Sequence, residues 1–484
     1  MTGRVDSPSG GGVSYPTTGD VASPGSASTA GWAGTVASPS GGGVASPQHS
    51  FVPWGSVASP RGTGVGSRPG IVRETIRLTS DPSLDYGEPH YTSDGSRLIV
   101  TATVPSGLIG IRQLSSPRAP VEATPPLLRE EVILPPGSVT FNTEIALSRQ
   151  RRGGEYWVAY NKEEMGSREE IFVARLDPSR PAPRQLSDSR TADVAKHHLF
   201  WGGDIEWIYS ERGSRNDLIR VRFTPRLAFP IEQVVIDAEE DVALETLGVH
   251  SSACPVLDAN HPNFGRFILV VRSDLPRRGP EPKRIALVTV KERPPPPPFS
   301  EPLEAIGVNI FVPLRSNPKF QRSGGAEWSP DGFMYTFVVP NADGDGSNLF
   351  VAVYDRNAPN DGLVRYFQLT RQEGREDQTK REAPAWSDDG RFLLYARRET
   401  GMNQARRLFL IDVGRLLPVS LGAYTPGEPI YLSGVIEEQV TLNVGQNEIG
   451  SWTWRPHARP YRVAYSIRQT NNKYAVFESV LNIQ

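Results

Sequence analysis

The chain has 484 residues, 38% of them hydrophobic, and a formal net charge of −2 at pH 7. It is long enough to bury a large core, and its charge excludes a general attraction to nucleic acid or anionic membranes. The 46 glycines and 44 prolines favour turns and strands over long helices. We therefore expect a mostly β protein without a nucleic acid partner.

Cysteine content and hydropathy exclude further classes. The single cysteine, Cys254, cannot form an internal disulfide or a paired-cysteine metal site, and we interpret it as a small buried apolar residue. No apolar run reaches the roughly 18 residues that a transmembrane helix needs, so we expect no transmembrane segment. The visible start also lacks the apolar stretch of a signal peptide.

Residues 1–70 differ in composition from the rest of the chain. They contain no Leu, Ile, Glu or Lys, and they repeat ValAlaSerPro four times between glycine-rich spacers. Such a segment cannot bury enough apolar surface to offset the entropy of ordering, so we predict a disordered N-terminal tail and a folded domain over residues 71–484. The large aromatic residues of the tail either anchor a partner or stay solvated: Tyr15, Trp32, Phe51 and Trp54.

A short motif recurs after the tail. It consists of an aromatic residue, an AspGly turn and an apolar run, and its clear copies lie at residues 89–102, at 326–338 and around Trp386. An AspGly pair between two apolar runs predicts two strands joined by a tight turn. Weaker copies follow the same spacing of about 60 residues: 148–160, 200–210, 263–273 with its aromatic position at His261, and 454–466.

Each of the seven copies is part of a longer unit. A third apolar strand follows most copies, and a fourth follows several. Four strands per unit are typical of the blades of a β-propeller. The last unit has three clear strands, whereas residues 71–79 read as a strand without a blade. We therefore predict an all-β fold, a single β-propeller of seven four-stranded blades that strands from both termini close, which removes free edges.

The TrpSerProAspGly and TrpSerAspAspGly motifs, preceded by AlaGlu or AlaProAla, resemble the WD40-like (PD40) repeats of TolB-type β-propellers. The pattern covers residues 71–484. The resemblance implies six blades as the alternative count, and a fold that scaffolds, periplasmic binding proteins and enzymes share. It also implies an extracytoplasmic location, in the periplasm or cell envelope. The cytoplasm is the alternative, because no signal peptide is visible.

The residues of the repeat motif are predicted to be structural. An Asp before a turn glycine accepts hydrogen bonds from nearby backbone N–H groups, and the tryptophans suit packing between blades better than ligand stacking. The motif residues are Asp94, Gly95, Trp201, Asp204, Trp328, Asp331, Gly332, Trp386, Asp389 and Gly390.

One loop carries a partial calcium-binding pattern. Asn341, Asp343 and Asp345 precede Gly346 with the spacing of the start of a calcium loop. Ala352 stands where an EF-hand has its glutamate, so the pattern is incomplete. A calcium site and a polar hairpin loop are therefore alternatives, and we expect no other cofactor.

Catalytic motifs are scarce. The sequence contains no GlyXSerXGly elbow and no HisGluXXHis motif. His90, His198 and His261 lie near the first strands of three units, a distribution that distantly resembles propeller lyases with a histidine-bound metal. Their differing registers place them at different depths, so packing or surface roles are the alternative. A polyproline segment, 292–302, is interpreted as a spacer between the fourth and fifth units or as a ligand for an aromatic groove.

These patterns predict a non-enzymatic scaffold. A rigid propeller without a catalytic constellation would bind a protein partner through one face or through the tail, as an accessory subunit of a cell-envelope assembly. The alternative is a propeller enzyme, a lyase or hydrolase, that acts on a carbohydrate or lactone at the central funnel.

Overall fold

The structure is a computed structural model, and its description covers one compact unit, Ser67–Gln484, with gaps. The predicted tail, residues 1–70, lies outside the described residues except for Gly70. The described residues are 70–114, 130–139, 145–149, 155–164, 168–177, 179, 183–187, 196–202, 207–212, 217–223, 232–236, 252–256, 260–272, 283–292, 305–311, 324–341, 346–354, 364–371, 379–399, 406–414, 429–441 and 448–483.

Within these ranges the chain forms thirty strands and no helix. The strands build seven sheets, numbered here along the chain. Sheet 1 contains β2 (Asp85–Tyr86), β3 (His90–Tyr91), β4 (Leu98–Thr103), β5 (Ile109–Leu114) and β6 (Glu130–Val139). Sheet 2 contains β7 (Ala146–Leu147), β8 (Trp157–Glu164), β9 (Arg168–Arg175) and β10 (Arg184–Gln185).

The next two sheets repeat this order of strands. Sheet 3 contains β11 (Lys196–Trp201), β12 (Trp207–Arg212), β13 (Asp217–Arg222) and β14 (Glu232–Ile236). Sheet 4 contains β15 (Ser252–Ala253), β16 (Arg266–Arg272), β17 (Lys283–Glu292) and β18 (Ala305–Phe311).

In the last three sheets some strands are not consecutive in the chain. Sheet 5 contains β19 (Gly324–Trp328), β20 (Met334–Pro340), β21 (Ser347–Tyr354), β22 (Val364–Gln368) and β26 (Ile430–Tyr431). Sheet 6 contains β23 (Thr379–Trp386), β24 (Phe392–Glu399), β25 (Arg406–Asp412) and β27 (Glu438–Gln439). Sheet 7 contains β28 (Ile449–Trp454), β29 (Arg462–Arg468), β30 (Tyr474–Leu481) and β1 (Val72–Arg77).

Neighbouring sheets pack face to face through apolar side chains. Trp328, Tyr335 and Phe337 belong to the cluster between sheets 4 and 5, and similar clusters join sheets 1 and 2, 2 and 3, 5 and 6, 6 and 7, and 7 and 1. Middle strands are therefore buried on both faces. This explains why β20 is almost wholly buried and reads MYTFVVP, since β-branched and aromatic residues fill such surfaces.

The first strands of the sheets follow one another in a ring. They contact each other in chain order: β7 with β11, β11 with β15, β15 with β19, β19 with β23, β23 with β28, and β28 with β3. Several of them share a one-residue bulge, in sheets 3, 5, 6 and 7. In sheet 5, Gly324 pairs with Val338 and Glu327 with Thr336. Such a bulge bends the strand and turns its side chains.

The predicted pairing of strands from both ends of the folded region is confirmed. Strand β1 pairs antiparallel with β30, from Val72 opposite Leu481 to Arg77 opposite Phe477. Sheet 7 is therefore built from the end of the chain and from residues that precede sheet 1. This closure satisfies the backbone groups that a free edge would expose.

Three sequence expectations need correction. The first strand of sheet 4 is Ser252–Ala253, so His261 lies in the following turn and not on a strand. The polyproline segment, 292–302, connects β17 with β18 inside sheet 4 and is not a spacer between units. Sheet 5 has a fifth strand, because after β25 the chain returns to sheet 5 as β26, parallel to β22, before it forms β27.

Candidate binding surface

The turns between the first and second strands share one geometry. Residues 92–97, 329–334 and 387–392 each place a glycine at positive φ, between 66° and 70°: Gly95, Gly332 and Gly390. Oδ1 of the preceding Asp accepts hydrogen bonds from a hydroxyl two residues earlier and from a backbone N–H two residues later. For Asp94 these donors are Thr92, at 2.7 Å, and Ser96, at 2.9 Å. For Asp331 they are Ser329 and Phe333, and for Asp389 they are Ser387 and Arg391.

Two of these carboxyl groups are held in the ionised form. Burial alone would raise the pKa of Asp94, but hydrogen bonds from Thr92 and Ser96 outweigh it and hold the pKa below its ordinary value. Burial opposes ionisation of Asp389 in the same way, and hydrogen bonds from Ser387 and Tyr461 again lower its pKa. Both groups therefore act as hydrogen-bond acceptors and are poor proton donors near neutral pH.

The recurring tryptophans link neighbouring sheets. Trp201, Trp386 and Trp454 are buried, and each indole N–H donates to a backbone carbonyl of the preceding sheet. A buried Trp N–H generally needs such a partner, so these rings are committed to packing between sheets. The bonds are Trp201 to Ala146 at 2.9 Å, Trp386 to Glu327 at 3.1 Å, and Trp454 to Ala385 at 3.0 Å. Trp328 is buried against Tyr335, with ring centroids 5.6 Å apart.

The turns themselves are tied together across sheets. We call the turn face the surface formed by residues 92–97, 329–334, 387–392 and 455–462. On this face Arg455 Nε donates to the Gly95 carbonyl at 3.0 Å. Arg459 pairs with Asp388 and with Asp389, both at 3.1 Å, and the Tyr461 hydroxyl donates to Asp389. The Gly332 carbonyl of this face accepts a hydrogen bond from Asn263 Nδ2 of sheet 4 at 2.8 Å.

A cleft of about 350 Å³ opens between sheets 1 and 2. Its walls carry both signs of charge, and the Arg175 guanidinium pairs with Glu155 at 2.7 Å, while Arg97 donates to the Leu176 carbonyl. Tyr156 lines the cleft beside Asp94, and burial raises its pKa. The lining residues are Arg97, Gln113, Glu131, Glu155, Tyr156, Arg175, Leu176 and Asp177. Arg97 ends the first turn of the turn face, so the cleft adjoins that face.

The histidines of the enzyme hypothesis contact different groups. His90 Nε2 lies 3.5 Å from Glu88, whereas His261 Nδ1 accepts the Asn263 backbone N–H at 3.1 Å and its ring packs on Phe333. The side chain of His198 and all of Asp204 lie outside the described residues. Among the residues that are described, no group of three or more His, Cys, Asp or Glu side chains is placed to hold a metal ion. Nor does that part of the chain contain a helix long and apolar enough to span a membrane.

The calcium hypothesis falls on a loop that is only partly described. The Asn341 backbone N–H donates to the Gly346 carbonyl at 2.7 Å, and its Oδ1 accepts from Asn348 at 3.1 Å. Asp343 and Asp345 lie outside the described residues, so this site stays a prediction. Cys254 is fully buried between sheets 4 and 5, and burial raises the pKa of its thiol.

Sequence reasoning missed two kinds of residue. Burial raises the pKa of Glu327, on β19, to about 8, so its carboxyl group holds a proton near neutral pH. Tyr461 and Tyr156 each stand one residue before a second strand and face the turn of the preceding sheet. The sequence could have indicated these two tyrosines, because each is an aromatic residue directly before the second strand of its unit.

The sheets follow one another in a ring, and each has four or five strands. The last sheet is completed by a strand from the other end of the folded region. This arrangement defines a β-propeller. No protein-family model matches the chain, and no curated protein matches it either. Among solved structures, it is similar to the β-propeller domain of Cps50 (Swd1) from Myceliophteria thermophila, with 11% identity and a TM-score of 0.45 over 84% of this chain and 100% of that one.

Two further propellers share this level of similarity. TolB from Acinetobacter baumannii has 12% identity and a TM-score of 0.35 over 82% of this chain and 80% of its own. An oligogalacturonate lyase in complex with manganese has 12% identity and a TM-score of 0.32 over 84% and 97%, respectively. At such identities the likeness concerns the fold alone.

Proposed function

We propose that this protein is a non-enzymatic scaffold that binds a protein partner through the turn face. The observation that carries the proposal is the network of hydrogen bonds and ion pairs that joins the turns of adjacent sheets, from Arg455 to Gly95 and from Arg459 to Asp388 and Asp389. A surface held in one arrangement loses little conformational freedom on association. It therefore suits recognition better than a set of independent loops.

The charges of the face suit a polar partner. The side chains of His457 and Arg459 are 70% and 46% exposed although both contact Asp388. Fixed charges at the rim of an interface govern specificity and the association rate more than affinity. The adjoining cleft between sheets 1 and 2 offers a concave place for a protruding side chain of the partner.

We also propose that each of the seven sheets is one blade. Every sheet has its own first strand, and these strands follow one another in the ring. The six-blade alternative would require two of these sheets to share a blade. By resemblance to TolB-type propellers, we place the protein in the periplasm or cell envelope, as an accessory subunit of an assembly there, with the cytoplasm as the alternative.

The test is affinity capture with matched variants. We expect Arg459→Gln to recover about tenfold less of a specific partner than the wild type, since a hydrogen bond to a charged group contributes on this scale. Arg73→Gln, which changes an exposed arginine on β1, should recover the wild-type amount. Equal recovery by all three proteins, with complete loss from a chain that begins at Ile71, would assign the contact to the N-terminal residues instead.

The enzyme alternative has one observation in its favour. Glu327 lies on a first strand and keeps a proton to about pH 8, which is a property of general acids. Turnover of a carbohydrate or lactone that disappears in Glu327→Gln, or a stoichiometric transition metal in the purified protein, would favour this alternative over the scaffold.

A further inference from the structure

The cleft between sheets 1 and 2 has polar walls. Of the eight residues that line its volume of about 350 Å³, Leu176 alone has a purely apolar side chain. Sites for apolar ligands are lined mainly by hydrophobic side chains, so these walls suit a small hydrophilic group. Arg97, directly before β4, donates to the carbonyl of Leu176, directly after β9. This bond joins the two walls of the cleft.

Arg175, the last residue of β9, is held in place on the wall that sheet 2 provides. Its Nη2 lies 2.7 Å from Glu155 Oε1, and its Cζ lies 5.6 Å from the centroid of the Trp157 ring, within the range of a cation–π contact. The side chains of Arg175 and Glu155 are 36% and 41% exposed, so a ligand can reach the pair. The Arg175 Nε is buried without a hydrogen-bond partner in the described part of the chain.

Gln113, on β5, belongs to the wall that sheet 1 provides. Its Oε1 is also buried, and no described residue donates a hydrogen bond to it. The side chain as a whole is partly exposed, and its last torsion has broad preferences, so a rotation brings either end of the amide to the cleft. A buried polar atom without a partner costs free energy. The cleft therefore has an unused donor on one wall and an unused acceptor on the other.

We propose that this cleft is a binding site for a primary carboxamide, the group that ends an Asn or Gln side chain. A carboxamide carries two N–H donors and a carbonyl acceptor in one plane. Its N–H can donate to Gln113 Oε1, while its oxygen accepts from Gln113 Nε2 or from Arg175 Nε. A hydroxyl group offers one oxygen and cannot pair with both ends of the Gln113 amide.

Charged groups fit this place less well than a neutral amide. A carboxylate that approaches Arg175 also meets Glu155, and an ammonium group that approaches Glu155 also meets Arg175, because the two side chains lie 2.7 Å apart. Like charges this close repel each other. The carboxamide belongs either to a side chain of a partner protein or to a free molecule. The first source rests on the scaffold function proposed above, whereas binding of the amide itself does not.

The site is tested by titration of the full chain with small probes, followed by saturation-transfer NMR of the probe. The probes are propanamide, propanoate, propan-1-ol and the peptides GlyGlnGly and GlyLeuGly. We expect propanamide and GlyGlnGly to bind and the other three not to bind. Tighter binding of GlyGlnGly than of propanamide would point to a protein source, and equal or weaker binding to a free molecule.

Two results would overturn the proposal. One is that neither amide probe binds, which would leave the buried atoms to solvent. The other is that propanoate, propan-1-ol or GlyLeuGly binds as well as the matching amide probe. Because no partner protein is present in the titration, its outcome is separate from that of the affinity capture.

Variants assign the binding to this cleft. Gln113→Leu should weaken binding of GlyGlnGly about tenfold, and Gln439→Leu, the same change on β27 of sheet 6, should leave it unchanged. Arg175→Lys keeps a positive charge beside Glu155 but removes the Nε donor, so it should also weaken binding. Wild-type binding by both cleft variants, or equal weakening by Gln113→Leu and Gln439→Leu in proteins that melt cooperatively, would contradict the proposal.

Discussion

Glu327 shows how the repeat places an unusual residue on a first strand. The position before the recurring aromatic residue is Ala385 in sheet 6 and Thr453 in sheet 7, but it is a carboxylic acid in sheet 5. Its backbone carbonyl accepts the Trp386 indole N–H, and burial raises the pKa of its side chain to about 8. Charge at this position therefore opposes folding.

The raised pKa predicts how stability depends on pH. The ordinary pKa of this carboxyl group is 4.5, so between about pH 4.5 and 8 the folded state binds more protons than the unfolded state. Its contribution to stability is complete below that window and is lost as pH rises through it. We compare the unfolding free energy of Glu327→Gln with that of the wild type at each pH. From pH 5 to pH 9 this difference should shift in favour of the variant by more than about 1.4 kcal/mol, the value of one pKa unit.

Urea denaturation at pH 5, 7 and 9 measures this difference. The Glu327 side chain is partly exposed to solvent. Solvent therefore makes the change in unfolding free energy smaller than the full pKa difference would give. The control is Glu438→Gln, which changes an exposed carboxyl group on β27. Parallel pH profiles for the wild type and Glu327→Gln would show that the carboxyl group ionises normally in the folded protein.

The turns between the first and second strands contact the turns of adjacent sheets. Gly95 and Gly265 both precede second strands and have φ of 66° and 70°. A Cβ on Gly95 would lie 2.2 Å from the Pro456 carbonyl oxygen of sheet 7, whereas a Cβ on Gly265 would meet nothing within 4 Å. The two glycines thus share a backbone conformation and differ in their surroundings.

Alanine at these two positions separates backbone strain from contact between sheets. We expect Gly265→Ala to lose about 1 kcal/mol of unfolding free energy, because a side chain disfavours positive φ. Gly95→Ala should lose at least about 1 kcal/mol more, because the backbone of Pro456 must move. Denaturant unfolding of both variants gives the comparison. Equal losses would show that the turns of sheets 1 and 7 do not hold each other.

Elements were predictable where local chemistry repeats. The AspGly turns and aromatic positions around Trp328 and Trp386 follow from the sequence because hairpin geometry needs few residue types. The first strand of sheet 4 was predicted at the wrong position. It has two residues and lacks both an aromatic residue and an AspGly pair, so the repeat position was assigned by counting back from the apolar run of β16, which gave His261. Strand β26 was also missed, because two residues that join the edge of another sheet leave no periodicity.

The candidate sites were harder to predict than the fold. Arg459 and Asp389 are 70 residues apart in the sequence and come together only where sheets 6 and 7 pack. Nothing in the local pattern of either residue indicates its partner. The turn aspartates were assigned a local role from sequence because their hydrogen bonds reach only two residues along the chain.

At the scale of the whole molecule, the ring depends on the junction between its first and last sheets. Glu478, on β30, is fully buried and accepts hydrogen bonds from Arg462 at 2.8 Å and from Tyr91 of sheet 1. Arg455 lies 3.4 Å from the same carboxylate and also donates to the Gly95 carbonyl. One buried carboxylate therefore joins β30, β29, the end of β28 and sheet 1.

Removing this charge should open the ring. We expect Glu478→Gln to lose about 3 kcal/mol of unfolding free energy, because it leaves the buried Arg462 guanidinium without its counter-charge. The control Glu438→Gln, at an exposed position, should change the unfolding free energy by less than about 0.5 kcal/mol.

Hydrogen exchange shows where the structure is destabilised. In a ring of sheets that contact only their neighbours, the loss of one contact first destabilises the strands beside it. Faster exchange in β28–β30 and β2–β4, with β20 and β24 unchanged, is the expected result. Uniform acceleration in all sheets would mean that the ring unfolds as one unit and that closure is not its weakest junction.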